Sequence, residues 1–438
     1  MDVCHINAYD LRGGAARAAY RVHKALLKYQ KDLNINSKMR VIHKSGDDIS
    51  VVGGRPQGTS KIWTNIVPYL NRLSRIGYKT DNPIIHSTAW IKTGLGKELN
   101  LHYKKNKQEI INLYWLGDLT ISIKEIGKIK QPLVWTLFDQ WAFSGAEHYE
   151  NLYSANQDVL GKRYIEGYLK SNRPRKEKGL DINRMVWENK RKYLKNPTNI
   201  VCISEWLADC VKKSSLMRSW PVEVIPVPID LDIYYPMDKA LARRILNLPL
   251  DKPLILFGAI GGLKDPRKGT DLLFKALNII KKKENQNNYF SNLEILIFGE
   301  SDQKRDESKL FPTHYLGHLY DDISLRILYS AADLLIVPSR LEALGQTGIE
   351  AHACGTPVVA FNYGGLRDVV DDKVTGALAD PFDSSSLAAE IKWVLENKSR
   401  NVELGINARK RAENLWSEKR VAGLYKNFYK KVLSTKIK

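Results

Sequence analysis

The chain has 438 residues, of which 43% are apolar and 26% charged, with a formal net charge of +20. That length exceeds one ordinary core and points to two domains of roughly 200 residues each, while no apolar run approaches the ~18 residues that a membrane-crossing helix needs. The positive excess calls for an anionic partner (nucleic acid, a membrane surface or phosphorylated substrates), and without an RNP string, zinc finger or basic zipper a membrane surface is the better candidate.

Cys4, Cys202, Cys210 and Cys354 show neither a C-x-x-C pair nor metal-ligand spacing, which implies buried reduced thiols. The opening MDVCHINAYDLRGG has no basic n-region and no apolar h-region, so cytoplasmic residence is expected.

In chain order, residues 2–7 form a first strand, followed by Gly13-Gly14-Ala15 and a helix over Ala16–Tyr29 whose Ala19, Val22, Ala25, Leu26 and Tyr29 keep helical spacing. Strand, glycine turn and helix open a phosphate-binding βα unit, although the spacing is not G-x-G-x-x-G. Arg17 adds charge there or is an ordinary surface arginine. A strand follows at Ser37–Ile42. Residues 58–79 make a basic amphipathic stretch, with Pro68 against a straight helix; it lies in a membrane interface or packs on its own domain. Strands resume at Ile110–Leu113 and Leu133–Leu137. Residues 161–196 are strongly basic, forming a solvated helix face or a surface that meets anionic lipid. A strand at Ile200–Ser204, a helix from Glu205 and a strand at Val222–Pro226 complete the first domain.

The second domain starts near Pro236 and opens with an apolar strand, Leu254–Ile260. Its loop, Gly261 to Gly269, carries Lys264, Arg267 and Lys268 into a helix over Thr270–Lys281, and glycines with three cations at a helix N-terminus suit a diphosphate. A strand at Glu294–Gly299 and a helix around Ser324–Ala332 lead to the stretch Pro338–Gly365. There an apolar strand (Asp333–Pro338) precedes a loop with Glu342, then Gly345, a helix carrying Glu350, the stop Gly355-Thr356-Pro357, and a strand over Val358–Phe361. Gly364-Gly365 caps that strand, Thr375-Gly376 lies in a turn, and helices follow at about 384–396, 401–414 and from Trp416 to Val432.

A loop after a strand of a parallel sheet lies at the carboxyl end, where ligands bind. Two carboxylates there accept from hydroxyls while backbone amides hold phosphate, and a nucleotide sugar offers both groups. The string P-S-x-x-E-x-x-G-x-x-x-x-E-x-x-A-C-G-x-P-V-V-A resembles the donor-site signature of glycosyltransferase family 4, the retaining transferases of GT-B fold. Thr136-Leu137-Phe138-Asp139-Gln140-Trp141-Ala142-Phe143 is similar to the T-L-H-D-x-W-A-F motif of a bacterial polysaccharide-building branch, with Phe138 at the position of the histidine expected near the reacting sugar carbon. The cysteine-bearing segment usual after that motif is replaced by Gly145-Ala146-Glu147-His148-Tyr149; His148 substitutes for the missing histidine or is structural. The family's Asn-Gly before an aspartate is here Val227-Pro228-Ile229-Asp230. In its R-x-x-x-x-K-G motif Lys268-Gly269 match while Leu263 stands for the arginine, leaving Lys264 or Arg267 for the second charge.

The resemblance implies an α/β protein of GT-B architecture: two Rossmann-like domains facing a cleft, residues 1–235 with a returning C-terminal helix 416–438, and 236–415 binding the nucleotide sugar. It implies a retaining, metal-independent hexosyltransferase without cofactor, moving sugar from a nucleotide-sugar donor to a glycan or polyprenyl-diphosphate-linked acceptor. The setting is synthesis of capsule, exopolysaccharide or lipopolysaccharide, at an anionic membrane surface on the inner face of the plasma membrane. Catalytic roles fall on Glu342, Lys268 and Asp139. Donor binding falls on Gly13, Gly14, Arg267, Lys268, Glu342, Leu344, Gly345, Gln346, Thr347 and Glu350. Two alternatives stand beside this: a glycan- or lipid-binding paralogue whose activity went with the histidine, and a GT-B sugar-nucleotide epimerase.

Overall fold

Residues 1–56, 66, 69, 76–80, 85–103, 106–149, 162–258, 265–283, 290–299, 310–319 and 321–435 are described by the computed structural model of the chain. Most of the amphipathic stretch 58–79, the start of the basic run and the loop segment Gly261–Lys264 lie outside the described residues. The chain divides into two compact units, residues 1–228 with 421–438, and residues 229–420.

In the first unit the strands are β1 (Asp2–Tyr9), β2 (Asn36–His43), β3 (Val51–Val52), β4 (Tyr78–Lys79), β5 (Ile110–Leu113), β6 (Leu133–Leu137), β7 (Lys178–Gly179), β8 (Asn199–Cys202) and β9 (Val222–Val224). Seven of them form a parallel sheet in the order β3-β2-β1-β5-β6-β8-β9, with β4 and β7 paired apart from it. β1 pairs with both β2 and β5 (Val3 opposite Ser37 and Ile110), so chain order reverses across it.

The second unit repeats the scheme with β10 (Leu254–Gly258), β11 (Glu294–Phe298), β12 (Thr313–Tyr315), β13 (Leu334–Val337), β14 (Val358–Phe361) and β15 (Gly376–Ala379), ordered β12-β11-β10-β13-β14-β15, all parallel. The central strands read as near-continuous apolar runs because helices cover both faces of a parallel sheet. Ile255, Phe257, Ile295, Ile336, Val359 and Phe361 are all buried in one core. The reversal falls between β10 and β13, where the open carboxyl ends of an α/β sheet take ligands.

Three expectations need correction. Thr375-Gly376 is not simply a turn: Gly376 opens the edge strand β15, and a side chain there would stand 1.9 Å from the Val358 carbonyl oxygen. The segment Gly-Ala-Leu-Ala has weak strand propensity, and its pairing with β14 supplies what propensity does not. Lys398–Trp416 is one helix, so Trp416 ends that element, Ser417 breaks it, and the last helix begins at Glu418. Residues 229–235 belong with the second unit, since the Ile229 amide donates to the Trp416 carbonyl at 2.8 Å and the Tyr234 hydroxyl to Asp322 at 2.8 Å.

The terminal helix is bound into the first unit by buried Val421, Tyr425 and Tyr429, with the Asn112 amide donating to the Tyr429 hydroxyl at 2.8 Å. That contact ends a buried polar chain. Tyr114 hydroxyl meets His5 Nδ1 at 2.8 Å, His5 Nε2 meets Ser37 Oγ at 2.9 Å, Ser37 Oγ meets His23 Nδ1 at 2.8 Å, and His23 Nε2 meets Ser50 Oγ at 2.9 Å. Burial holds both imidazoles neutral, His5 well below the ordinary histidine range and His23 at about 4. A folded pKa below the unfolded value means that the unfolded chain takes up the proton first, so stability is complete above about pH 6.5 and is lost as pH falls toward 4. In urea titrations the wild type should lose roughly 3 kcal/mol more than His23→Gln between pH 7 and 4; parallel pH dependences would refute the neutral assignment of His23.

Candidate active site

At the reversal in the second unit, two loops are locked backbone to backbone. Asp265 accepts from the Arg267 amide at 3.0 Å and starts a single 3-10 turn, Pro266–Lys268, that ends on Gly269 at φ 66°. A Cβ at 269 would lie 1.8 Å from the carbonyl oxygen of Pro338, so only glycine permits this approach. From the other side the Arg340 amide donates to the Arg267 carbonyl at 2.7 Å, and its guanidinium grips the Pro266 carbonyl at 2.8 Å and both oxygens of Asp271 at 2.7 and 2.6 Å.

This clamp sets Lys268 against Glu342, Nζ to Oε1 2.6 Å, with Ser339 Oγ donating to the same oxygen at 3.2 Å. Both side chains keep solvent access, 25% for Lys268 and 20% for Glu342. Arg267 is turned elsewhere: its Nε and Nη2 fork onto Asp265 at 3.1 and 2.6 Å. Burial would raise the Asp265 carboxyl, but the hydrogen bonds and charge of Arg267 outweigh it and hold the group below its usual range. The second cation expected beside Lys268 is thus paired with a neighbouring carboxylate, and the alternative, Lys264, lies outside the described residues.

Glu342 sits in the loop and Glu350 in a helix, Gln346–Ala353, as the spacing suggested. Gly345 occupies the cap position at φ 96° with no side-chain cap, and Leu344 is buried just before it. Gln346 and Thr347 form the first turn, where a helix presents the positive end of its dipole. The Glu342 backbone is held by Gly365, whose amide donates to its carbonyl at 2.9 Å and where a Cβ would fall 2.1 Å from the Ala343 carbonyl oxygen. Glu350 is 5% exposed and accepts from the Tyr329 hydroxyl at 2.8 Å. Sequence reasoning missed Ser339, Arg340 and Tyr329 as positioning groups; Gly364-Gly365 was visible as a strand cap but not as a seat for the Glu342 loop.

The remaining site residues belong to the first unit. Gly13 caps the helix Gly14–Lys28 at φ 87° without a side-chain cap. The approach to it is fixed by Asp10, which accepts from the amides of Leu11, Ser45 and Gly46 at 2.8 to 3.0 Å and so binds the loop after β1 to the loop after β2.

Asp139 follows β6. One oxygen accepts from the Trp141 amide at 3.0 Å and the other lies 2.6 Å from His148 Nδ1. Trp115 Nε1 also points at Nδ1, at 3.1 Å; the shorter contact to a carboxylate places the proton on Nδ1, so Nε2 accepts from Ser87 Oγ at 2.8 Å. His148 is buried and stacked on Trp141, so the structure gives it a positioning place beside Asp139. Phe138 stacks on Tyr114 with ring centres 5.6 Å apart.

Beneath this loop, fully buried Lys190 donates to the carbonyls of Trp141, Ser144 (3.1 Å) and Gly145 (2.7 Å), with its ammonium 4.0 Å over the Trp141 ring. Burial pushes Lys190 down to about 7, against the Glu147 and Asp139 carboxylates that favour its charge. All four cysteines are free thiols, and among the described residues no three His, Cys, Asp or Glu side chains gather as a metal site. No helix among them is long and apolar enough to cross a membrane.

Residues 238–411, all within the second unit, match the family model of the glycosyl transferases group 1. A D-inositol 3-phosphate glycosyltransferase of Segniliparus rotundus is 33% identical over 190 residues, 41% of this chain and 40% of that relative, so the chain spans well under two thirds of that curated protein. Among solved structures, sucrose-phosphate synthase of Thermosynechococcus elongatus superposes with a TM-score of 0.64 over 99% of both chains at 18% identity. Anabaena HepE in complex with UDP-glucose superposes with a TM-score of 0.60 over 99% of this chain and 100% of its own at 16% identity. The chain therefore has the α/β GT-B fold, and its second unit holds the segment that matches the glycosyl transferases group 1 model.

Proposed function

We propose that the protein is a retaining, metal-independent glycosyltransferase that moves a sugar from a nucleotide-sugar donor to a glycan acceptor. One observation carries the reading: Lys268 and Glu342 face each other at 2.6 Å at the strand-order reversal of the segment that matches the group 1 model, with Glu350 eight residues on. In this reading Glu350 accepts from the ribose hydroxyls and Glu342 from hydroxyls of the transferred sugar. Lys268, with the backbone amides of Gly345, Gln346 and Thr347, neutralises the departing diphosphate. Charge that builds on a leaving phosphate is met by donors fixed in advance, which is electrostatic catalysis. The acceptor attacks from the face the diphosphate leaves, and a leaving-group oxygen takes its proton. Leu344 shapes the sugar side of the loop, and in the first unit the Gly13-Gly14 turn leaves backbone open to close approach by a phosphate. Asp139, held by His148, stands for the acceptor side. Arg267 contributes through its pairing with Asp265, as a brace of the loop.

For the acceptor, the reading favours a polyprenyl-diphosphate-linked glycan of surface-polysaccharide synthesis, met at an anionic membrane face. Ile165, Leu169, Leu180 and Met185 are exposed in the same segment as exposed Lys170, Arg175, Lys176 and Lys178, which supports a basic, partly apolar contact with lipid. The name of the Segniliparus relative points instead to a phosphorylated inositol, so that acceptor belongs in the same screen.

The test is a screen of UDP-, GDP- and ADP-sugars for binding, hydrolysis and transfer to both acceptors, with the anomeric configuration of the product determined. Glu342→Ala should lower turnover by on the order of a hundredfold with little change in melting temperature; transfer at the wild-type rate would remove Glu342 from the mechanism. Lys268→Ala should weaken nucleoside diphosphate binding by ~tenfold and flatten its salt dependence. Unchanged affinity in calorimetry would contradict its role as the diphosphate cation.

A further inference from the structure

Glu350 is almost wholly buried, and a glutamate has three side-chain torsions with which to direct its carboxylate. Tyr329 restricts that choice. It lies on the helix Asp322–Ala331, whose first turn is capped by Asp321 accepting from the Ser324 amide at 2.7 Å. The ring is fully buried and meets Phe298 edge-on, centres 6.1 Å apart at 87°. Its backbone is fixed in turn: the Tyr329 carbonyl accepts from Thr356 Oγ1 at 2.7 Å, which links it to the end of the helix that carries Glu350. From this rigid base the phenol hydroxyl donates to Glu350 Oε2 at 2.8 Å. Burial and the charge of Glu350 both keep that hydroxyl protonated, so it remains a donor throughout the working pH range.

We propose that Tyr329 is a positioning residue that sets the preference of this site for ribose over 2′-deoxyribose, by holding the Glu350 carboxylate in the one orientation that accepts from both hydroxyls of a ribose diol. The proposal rests on the reading that Glu350 binds the nucleotide ribose. A carboxylate only accepts, and a ribose diol brings two donors where a 2′-deoxyribose brings one. Discrimination therefore depends on how badly the carboxylate fares when one donor is missing. A buried carboxylate held rigidly cannot turn to another partner and bears the full cost of the lost bond. Released from Tyr329, it reorients toward the remaining hydroxyl or water, and the penalty on the deoxy ligand shrinks.

The experiment uses the full chain and calorimetry with UDP, GDP and ADP and their 2′-deoxy counterparts, on wild type, Tyr329→Phe, Glu350→Gln and the double variant, each checked for an unchanged melting transition. Tyr329→Leu, which also lacks the hydroxyl, replaces Tyr329→Phe if that variant does not fold. The wild type should favour the ribonucleotide by ~tenfold, the worth of one charged hydrogen bond. Tyr329→Phe should reduce that ratio severalfold by weakening the ribonucleotide more than the deoxy form, and should change nothing further in the Glu350→Gln background. Equal weakening of both ligands by Tyr329→Phe, or an unchanged ratio while Glu350→Gln abolishes it, would overturn the role of Tyr329 and leave that of Glu350 standing. A ratio that survives Glu350→Gln, or a wild type that binds no nucleotide or fails to discriminate, would overturn the ribose reading of Glu350 and the inference with it.

Discussion

The 1.8 Å that would separate a Cβ at position 269 from the Pro338 carbonyl oxygen is the constraint on which the second unit's site depends. With that side chain absent, the turn after β10 closes onto the loop after β13, and the Arg340–Arg267 backbone bond and the Arg340–Asp271 fork seal the contact. Gly365 does the same on the far side of the loop, against Ala343. Glu342 is therefore held on two sides by main chain, and main chain has no rotamers to exchange. A charged side chain presented by such a loop costs little reorganisation when a ligand arrives.

The first unit fixes its corresponding loop by different means. Lys190 gathers three carbonyls from inside, and His148 and the Trp141 amide fix Asp139 from within the same loop. A buried ammonium is costly unless its donors are used, and here three carbonyls of an irregular loop use them, which answers the question of where that loop's backbone groups find partners. The same economy appears in the chain of hydroxyls and imidazoles from Ser50 to Tyr429, which joins β1, β2 and β5 to the terminal helix through neutral groups.

Much of this was legible in the sequence where the signal is local. The runs that became β10, β13 and β14 are apolar on both faces, and Gly355-Thr356-Pro357 marks a helix end wherever it occurs. Those punctuation marks place Glu342 in a loop and Glu350 in a helix without knowledge of the tertiary structure. What was not legible depends on partners far apart in the chain or on a choice among near neighbours. β15 is a strand because β14 lies beside it, Tyr329 reaches Glu350 from a different helix, and Lys190 finds its carbonyls more than forty residues upstream. Arg267 failed as a free cation because Asp265, two residues away, captures it; sequence proximity alone does not say whether such a pair forms.

The ion pair between Lys268 and Glu342 bears on what the unliganded site attracts. With the Lys268 ammonium already 2.6 Å from a carboxylate, that pair offers an approaching anion a dipole rather than a bare charge. A small anion such as sulfate must separate the pair to gain that ammonium and offers the carboxylate no donor in return. A ligand that brings hydroxyls for the carboxylate along with negative charge for the ammonium satisfies both partners as it divides them. The pair thus acts as a lock with two wards, closed to ions that carry one key and open to molecules that carry both.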